Sequence, residues 1–421
     1  MANRWLVALS AAVLVAACGG GGATTPSPAG VTPPPAVATL TPTAAPVTGS
    51  ATLGQWGSSP AENTALASAL SAFAVSGTQV AVDQQLIAGD YRAEMITRFG
   101  ARNPPDLFYV NAEYARDWAD EGFLYPLDDW IARDQIDVSK FFPKYLDIFR
   151  GTDGKIYGLP KDGNTIAMAY NTDVVTTPPT SLDELIAAAN TLKGTGDLTA
   201  PMCLSPSLDR GLAFIYAQGG SLLNADNTAS EIETDTSKAA IQWYLDLFKD
   251  GLGLPPPANS WCGEQLGNGN AAFAFEGGWL SGYLQSTFPD TKWAFAEMPT
   301  GSSGSKATIS FTASYSIGAD SANKEQAWEV MKYLTGTQGM AVWTGGGIAV
   351  PSRSDVPVPA GFEVIVEGAD YAKPGSGFMT GFPEVQSAFN TAFLLEVQNG
   401  TYSADAVATA TKAAIDTALS Q

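Results

Sequence analysis

The chain has 421 residues, with 42 Asp and Glu against 22 Lys and Arg, no histidine and three cysteines. A net charge of −20 argues against nucleic acid and anionic membrane as partners, since both require clustered Lys and Arg. Without histidine there is no Ser-His-Asp or Cys-His catalysis and no imidazole metal ligand; the cysteines lack C-x-x-C spacing, so no zinc site and no cofactor is implied.

Met1–Arg4 carries one positive charge and precedes an apolar run of 11 residues, Trp5–Val15. That run is too short for a membrane-spanning helix but has the length of a signal-peptide core. Val15-Ala16-Ala17-Cys18 resembles the lipobox of bacterial lipoproteins. The resemblance implies cleavage of residues 1–17 and a lipid on Cys18, which would anchor the protein on the extracytoplasmic side of a bacterial membrane. The alternative is an ordinary signal peptide with a nearby cysteine.

Residues 18–49 are Cys18 followed by Gly, Pro, Thr, Ala, Val and Ser with one Leu, without a charge. Such a segment cannot bury enough apolar surface to offset its ordering entropy, so it is expected to be a flexible linker. Its reach is roughly 30 Å as a coil and about 90 Å when extended. About 370 residues remain, more than one core usually holds, so two domains are expected.

The body alternates short apolar runs with helix-start signals, the pattern of an α/β fold. Thr52–Trp56 reads as a strand. Ser59-Pro60-Ala61-Glu62 is a capping box with proline at the first helical position, and Leu66, Leu70 and Phe73 share a face of the helix that follows. Thr78–Val82 and Asp106–Val110 read as strands, with a helix over Asp90–Phe99 between them. Asn111 can cap the next helix, which runs to Gly122. Gly154–Pro160 and Ile166–Tyr170 look extended. Ser181-Leu182-Asp183-Glu184 is a second capping box, and helices follow around Ile241–Phe248, Ala327–Leu334, Glu384–Gln398 and Asp405–Leu419. Ala271–Phe275 is a short buried strand. Cys203 and Cys262, an even pair in an exported protein, are expected to form a disulfide; the alternative is two separate buried thiols.

Five stretches in order resemble extracellular solute-binding proteins of the maltose and multiple-sugar type, which feed ABC importers. They are Pro105–Asn111 with Gly122–Asp128, Gly154–Asp162 with Tyr170–Asp173, Gly269–Phe273 with Gly277-Gly278-Trp279, Tyr315–Ile317 with Asn323 and Ala327–Leu334, and Gly347–Arg353. The resemblance covers nearly the whole body. It implies the two-lobed periplasmic-binding-protein type II fold, with lobe one at 51–166 plus 312–347 and lobe two at 167–311 plus 348–421. It also implies a monomer that closes on its ligand and delivers it to membrane subunits of an importer.

A sugar offers apolar C–H faces and a rim of hydroxyls, so its site needs aromatic platforms and fixed polar groups. The resemblance places Trp279 as the stacking platform, with Gly278 leaving the backbone bare beside it. Asp162 is the expected hydroxyl acceptor. Asn111 stands at a strand end where many relatives carry an acid. Trp56 and Ser59 close the first strand, Trp261 sits beside Cys262, and Tyr315 and Arg353 match the later crossings. Lys161 is expected to pair with Asp162 or touch the ligand, and Glu62 is explained by the capping box. Gly267–Ala272 fits G-x-G-x-x-A but precedes a strand rather than a helix, and Ser303-x-x-Lys306 lies in a Gly/Ser loop, so neither supports a nucleotide or catalytic site. A polyamine site on the same fold, a secreted carbohydrate-active hydrolase and a surface scaffold without a small ligand are the competing readings.

Overall fold

The computed structural model describes residues 46–57, 59–301 and 304–420. The residues read as an export segment, Cys18, most of those read as a linker, Ser58 and Ser303 lie outside the described residues. In chain order the strands are β1 (Thr48–Trp56), β2 (Gln79–Ile87), β3 (Leu107–Asn111), β4 (Leu159–Pro160), β5 (Asn164–Thr165) and β6 (Ala167–Asn171). They continue with β7 (Ala200–Cys203), β8 (Gly253–Leu254), β9 (Ala271–Glu276), β10 (Trp293–Ala296), β11 (Thr308–Phe311), β12 (Ala313–Ile317) and β13 (Ala372–Pro374).

Two five-stranded sheets result, ordered β2-β1-β3-β12-β4 and β10-β6-β9-β7-β8. In the first, β1 runs parallel to β2 and β3, while β12 returns antiparallel to β3. Helix Pro60–Ala74 makes the crossover from β1 to β2. Its start is set by Ser59, whose Oγ accepts from Glu62 N, and by Pro60 at the first turn. It buries Ala65, Leu66, Ala69 and Phe73 against the sheet; Leu70 is half-buried at the edge. The strand extends further back than composition implied: Thr48 and Gly49, read with the linker, pair with Gln79 and Val80. Backbone hydrogen bonding to β2 orders residues whose side chains give no reason for order.

The first sheet carries one apolar core, including Leu53, Phe108, Trp118 and Trp328. The second carries another, including Met168, Phe214, Tyr244, Phe273 and Phe393. A three-stranded sheet, β13-β11-β5, is built where the chain passes between them. Here Gly163 and Val350 exchange both backbone hydrogen bonds, at 2.9 and 3.0 Å, and Ser352 Oγ donates to Pro160 O at 2.9 Å. Ile348, Ala349 and Val356 pack with the first core, whereas Val350, Phe362 and Ile365 gather around Ala167. The segment from 348 to 365 therefore packs with both of these clusters.

The Pro105-Asp106 pair has a structural role. The buried Asp106 carboxylate accepts from Thr52 N, Thr52 Oγ1 and Ser321 Oγ at 2.8, 2.9 and 2.6 Å, stapling β1 to the turn after β12. Cys203 and Cys262 are disulfide-bonded, with a Cα separation of 5.2 Å, inside the usual range. Among the described residues no helix is long and apolar enough to cross a membrane.

Candidate functional site

The three crossings and the C-terminal ends of β1 and β3 converge on a cavity of about 170 Å3. Trp56, Asn111, Asp162 and Trp279 all line it, together with Glu62 and Lys161. Strand ends facing a crevice are where open α/β sheets place ligands.

Each wall is held from behind. Trp56 ends β1 and meets Tyr109 edge-on at 4.8 Å and Tyr91 at 5.3 Å. Asn111 ends β3 and caps the helix Ala112–Asp120, its Oδ1 accepting from Glu113 N at 3.0 Å. The cap uses the oxygen and leaves the Nδ2 donors for a ligand. Trp279 opens the helix Trp279–Thr287, and its Nε1 donates to Glu276 Oε2 at 3.1 Å. The same oxygen accepts from Arg210 Nη2 at 2.9 Å. Burial pushes the Glu276 carboxyl above its ordinary value, against the opposing pull of Arg210 and of the indole hydrogen bond. Phe311 stands edge-on to Trp279 at 5.6 Å. The indole is thus pinned by a charge-assisted hydrogen bond on its edge and an aromatic neighbour.

Asp162 is buried on the first crossing. Its Oδ2 accepts from Lys161 Nζ at 2.6 Å and from Trp343 Nε1 at 2.9 Å, and Thr312 Oγ1 donates to its backbone carbonyl. The Lys161 ammonium also lies 4.0 Å from the Trp343 ring centroid and 5.0 Å from that of Tyr109. Lys161, Asp162 and Trp343 form one unit, with Asp162 Oδ1 left to accept. Asn164 Oδ1 accepts from Gly278 N at 2.8 Å, fixing the backbone just before Trp279. Gly278 must lack a side chain, since a Cβ there would stand 2.4 Å from the Phe362 ring and 2.6 Å from Asn164 Oδ1.

Other expected residues lie elsewhere. Tyr315 is buried in the first core: it sits on β12 opposite Tyr109, with ring centroids 5.3 Å apart. It shares its strand face with Ala313, which lines the cavity, but its ring is buried against Tyr109 and is not part of the lining. Burial drives its phenol far above its ordinary pKa. Arg353 forms a two-pronged pair with Asp355 at 2.8 and 2.9 Å and stands 4.9 Å from the Phe141 ring, a structural clasp away from the cavity. Trp261 caps the helix Cys262–Gly267 and packs edge-on against Tyr283 at 4.8 Å, outside the cavity lining. Ser59 serves as a helix cap.

Several lining residues escaped the sequence reading or were given another role there, among them Glu62, Trp343 and Phe311. Glu62 was explained by its capping box, although the same residue reaches the cavity. Trp343 and Phe311 carry no local signal: one belongs to the helix Thr337–Gly345 and the other ends β11.

Away from this cavity, Arg92 Nη2 meets Glu384 Oε1 at 3.3 Å and Gly381 N donates to Asp117 Oδ1 at 2.9 Å. A larger crevice of about 560 Å3 lies at that flank, lined by Arg92, Asp117, Glu121 and Glu384. It offers acids and one arginine around the buried Trp118, with no exposed aromatic face for a sugar ring.

A family model for bacterial extracellular solute-binding proteins matches residues 30–341. The chain belongs to this family. Similar solved structures include an ABC substrate-binding protein from Listeria monocytogenes in complex with cycloalternan, 21% identical with a TM-score of 0.78, covering 88% of this chain and 99% of that one. The GacH receptor of Streptomyces glaucescens, solved unliganded and with acarbose, is also 21% identical with a TM-score of 0.78, over 89% and 99% of the chains. These likenesses establish the two-lobed α/β fold for this solute-binding protein. A putative binding protein of Brucella abortus is 26% identical over 280 residues, 62% of this chain and 66% of that protein. The match thus spans just under two thirds of the curated relative. A maltotriose-binding protein of Pyrococcus abyssi is 36% identical over 81 residues, 19% of this chain and 17% of that one.

Proposed function

We propose that this solute-binding protein captures a neutral sugar or oligosaccharide between its lobes and delivers it to an ABC importer. The observation that carries the proposal is the cavity wall: Trp56, Trp279 and Trp343 surround Asp162 and Asn111. Indoles present apolar faces to sugar C–H groups, and the carboxylate and amide match the hydroxyl rim. The bound sugars named for the Listeria and Streptomyces structures support the same solute class. A lipid on Cys18 and the segment to residue 45 would tether a monomeric body within reach of the importer. Residues 51–166 plus 312–347 and 167–311 plus 348–421 would move as lobes about the crossings, and ligand contacts to both would stabilise closure.

The cavity also bears on a polyamine ligand. The overall acidity favours one, but Lys161 already places an ammonium against Asp162 Oδ2 and the Trp343 face. A polycation would meet a like charge at the position its own ammonium needs. Hydrolysis is disfavoured because Asp162, the buried carboxylate of the wall, is engaged by Lys161 and Trp343, and the family is one of binding proteins.

The test is a thermal-shift screen against mono- and oligosaccharides, with polyamines and amino acids included. A ligand at 1,000 times its Kd should stabilise by about 4 kcal/mol. Saturable stabilisation by one sugar series, insensitive to salt, is the expected result. Stabilisation only by polyamines, lost steeply with salt, would overturn the neutral-sugar assignment. Product release from an oligosaccharide would overturn the binding-only assignment.

A further inference from the structure

Just beyond the cavity, the two lobes touch through a glycine. Gly282 lies one turn after Trp279 in the helix Trp279–Thr287, so the two share a face. It is buried against the other lobe. A methyl group there would stand 3.1 Å from Ala61 Cβ, 2.9 Å from Ile348 Cγ2 and 3.5 Å from the carbonyl oxygen of Gly347. Ala61 belongs to the helix Pro60–Ala74, and Ile348 packs with the first core and lines the cavity.

Backbone conformation does not explain this glycine. It sits inside a helix and is absent from the positions with positive φ. Helix interiors favour alanine over glycine, so propensity alone would place alanine here. What the surroundings require is the missing Cβ, and the part of that requirement set by Ala61 holds only while the lobes are together. With the lobes apart, position 282 loses its neighbour Ala61, and that side of it opens to solvent.

We infer that Gly282 is a positioning residue for capture: its missing side chain lets the lobes close, so it sets affinity without lining the cavity. The inference rests on the capture reading above, because a penalty on closure weakens any ligand that needs both lobes. A side chain at 282 acts as a wedge in the closed state. Overpacking of this kind corresponds to a loss of about 5- to 150-fold in affinity.

The experiment uses the full chain in two arms. In the first, Ala61→Cys is combined with Gly282→Cys. The Cβ separation of 3.1 Å is a few tenths of an ångström below that of a disulfide, so the bond forms when the wedged lobes stand slightly eased apart, and mild oxidation should cross-link them without ligand, as read by mass spectrometry of the linked peptides. No cross-link, with or without ligand, would overturn the inference. In the second arm, Gly282→Ala and Gly282→Val are titrated with maltotriose as the probe sugar. Affinity should fall in that order, and the melting temperature of the ligand-free protein should stay level or rise. Adding Ala61→Gly to Gly282→Ala should restore affinity, which loss of helix stability alone would not allow. Wild-type affinity in Gly282→Val would refute the wedge. If wild type ignores maltotriose, that counts against the sugar reading for this probe, and the cross-linking arm still decides the closure contact.

Discussion

Replacing Glu276 with leucine tests how the Trp279 platform is held. Glu276 is 3% exposed at the end of β9, and its Oε2 accepts from both Arg210 Nη2 and Trp279 Nε1. Removing one member of a buried ion pair costs about 3–5 kcal/mol, because the other charge stays desolvated. Arg210 keeps a second partner, Asp209, at 2.9 Å, which puts the expected loss at the low end, about 3 kcal/mol. An unfolding entropy of about 2.1 cal/mol/K per residue over a body of about 375 residues gives roughly 0.8 kcal/mol per degree. Glu276→Leu should therefore lower the melting temperature by about 4 °C if the body unfolds as one unit. The indole also loses a charged acceptor, a bond worth about 1.5–3 kcal/mol, and with it a fixed orientation. Sugar affinity by calorimetry should fall about tenfold or more. Arg210→Met should cost more, since it strands the carboxylate. The double variant Arg210→Met/Glu276→Leu should recover part of the stability, because neither charge is left alone. An unchanged melting temperature in Glu276→Leu, or a double variant no better than the worse single one, would refute the reasoning.

Trp279→Ala removes a platform face of roughly 80 Å2, about 2 kcal/mol, so affinity should weaken about 30-fold in a protein that still melts cooperatively; normal affinity would remove Trp279 from the site. The Asp134 carboxyl is held well below the usual range by hydrogen bonds from Arg133, Lys332 and the Trp328 indole. A depressed folded pKa contributes stability above the unfolded value, about 4, and that stability is lost as pH falls toward the folded value. Asp134→Asn should therefore lower the melting temperature at pH 7, and its deficit should shrink below about pH 4; a constant deficit across that range would contradict the assignment. The disulfide closes a sequence separation of 59 residues, worth about 4 kcal/mol in the chain-entropy relation, so Cys203→Ser/Cys262→Ser should melt about 5 °C lower. An equal melting point would show that the unfolded chain gains little freedom from losing that link.

Helix starts were legible because they depend on near neighbours. Ser59 and Asn111 cap the helices they precede through hydrogen bonds two or three residues away, and Ser181 does the same for Leu182–Leu192. The ends of β1 and β3 were legible for the same reason, and Trp56 and Asn111 stand there. Trp279 and Asp162 came from the order of motifs along the chain, a regularity of the family rather than of local physics. Assembly across the chain was not legible. Asp162 meets Trp343 across 181 residues, and nothing around Trp343 distinguishes it from a core tryptophan. Tyr315 shows the converse: it has the motif, but packing against Tyr109 buries its ring in the first core. Glu62 serves a local cap and a distant cavity at once, and only the second role needs the other lobe.

By itself the sequence determined an acidic, histidine-free α/β chain with its helix caps, strand ends and cysteine pair, since charge, composition and short-range hydrogen bonding are written residue by residue. The tertiary structure alone decided which aromatic side chains form a wall, which acids share a proton donor, and why position 282 has no side chain. Those depend on side chains brought together from distant parts of the chain: Asp162 meets Trp343 across 181 residues, and position 282 faces Ala61 of the first helix.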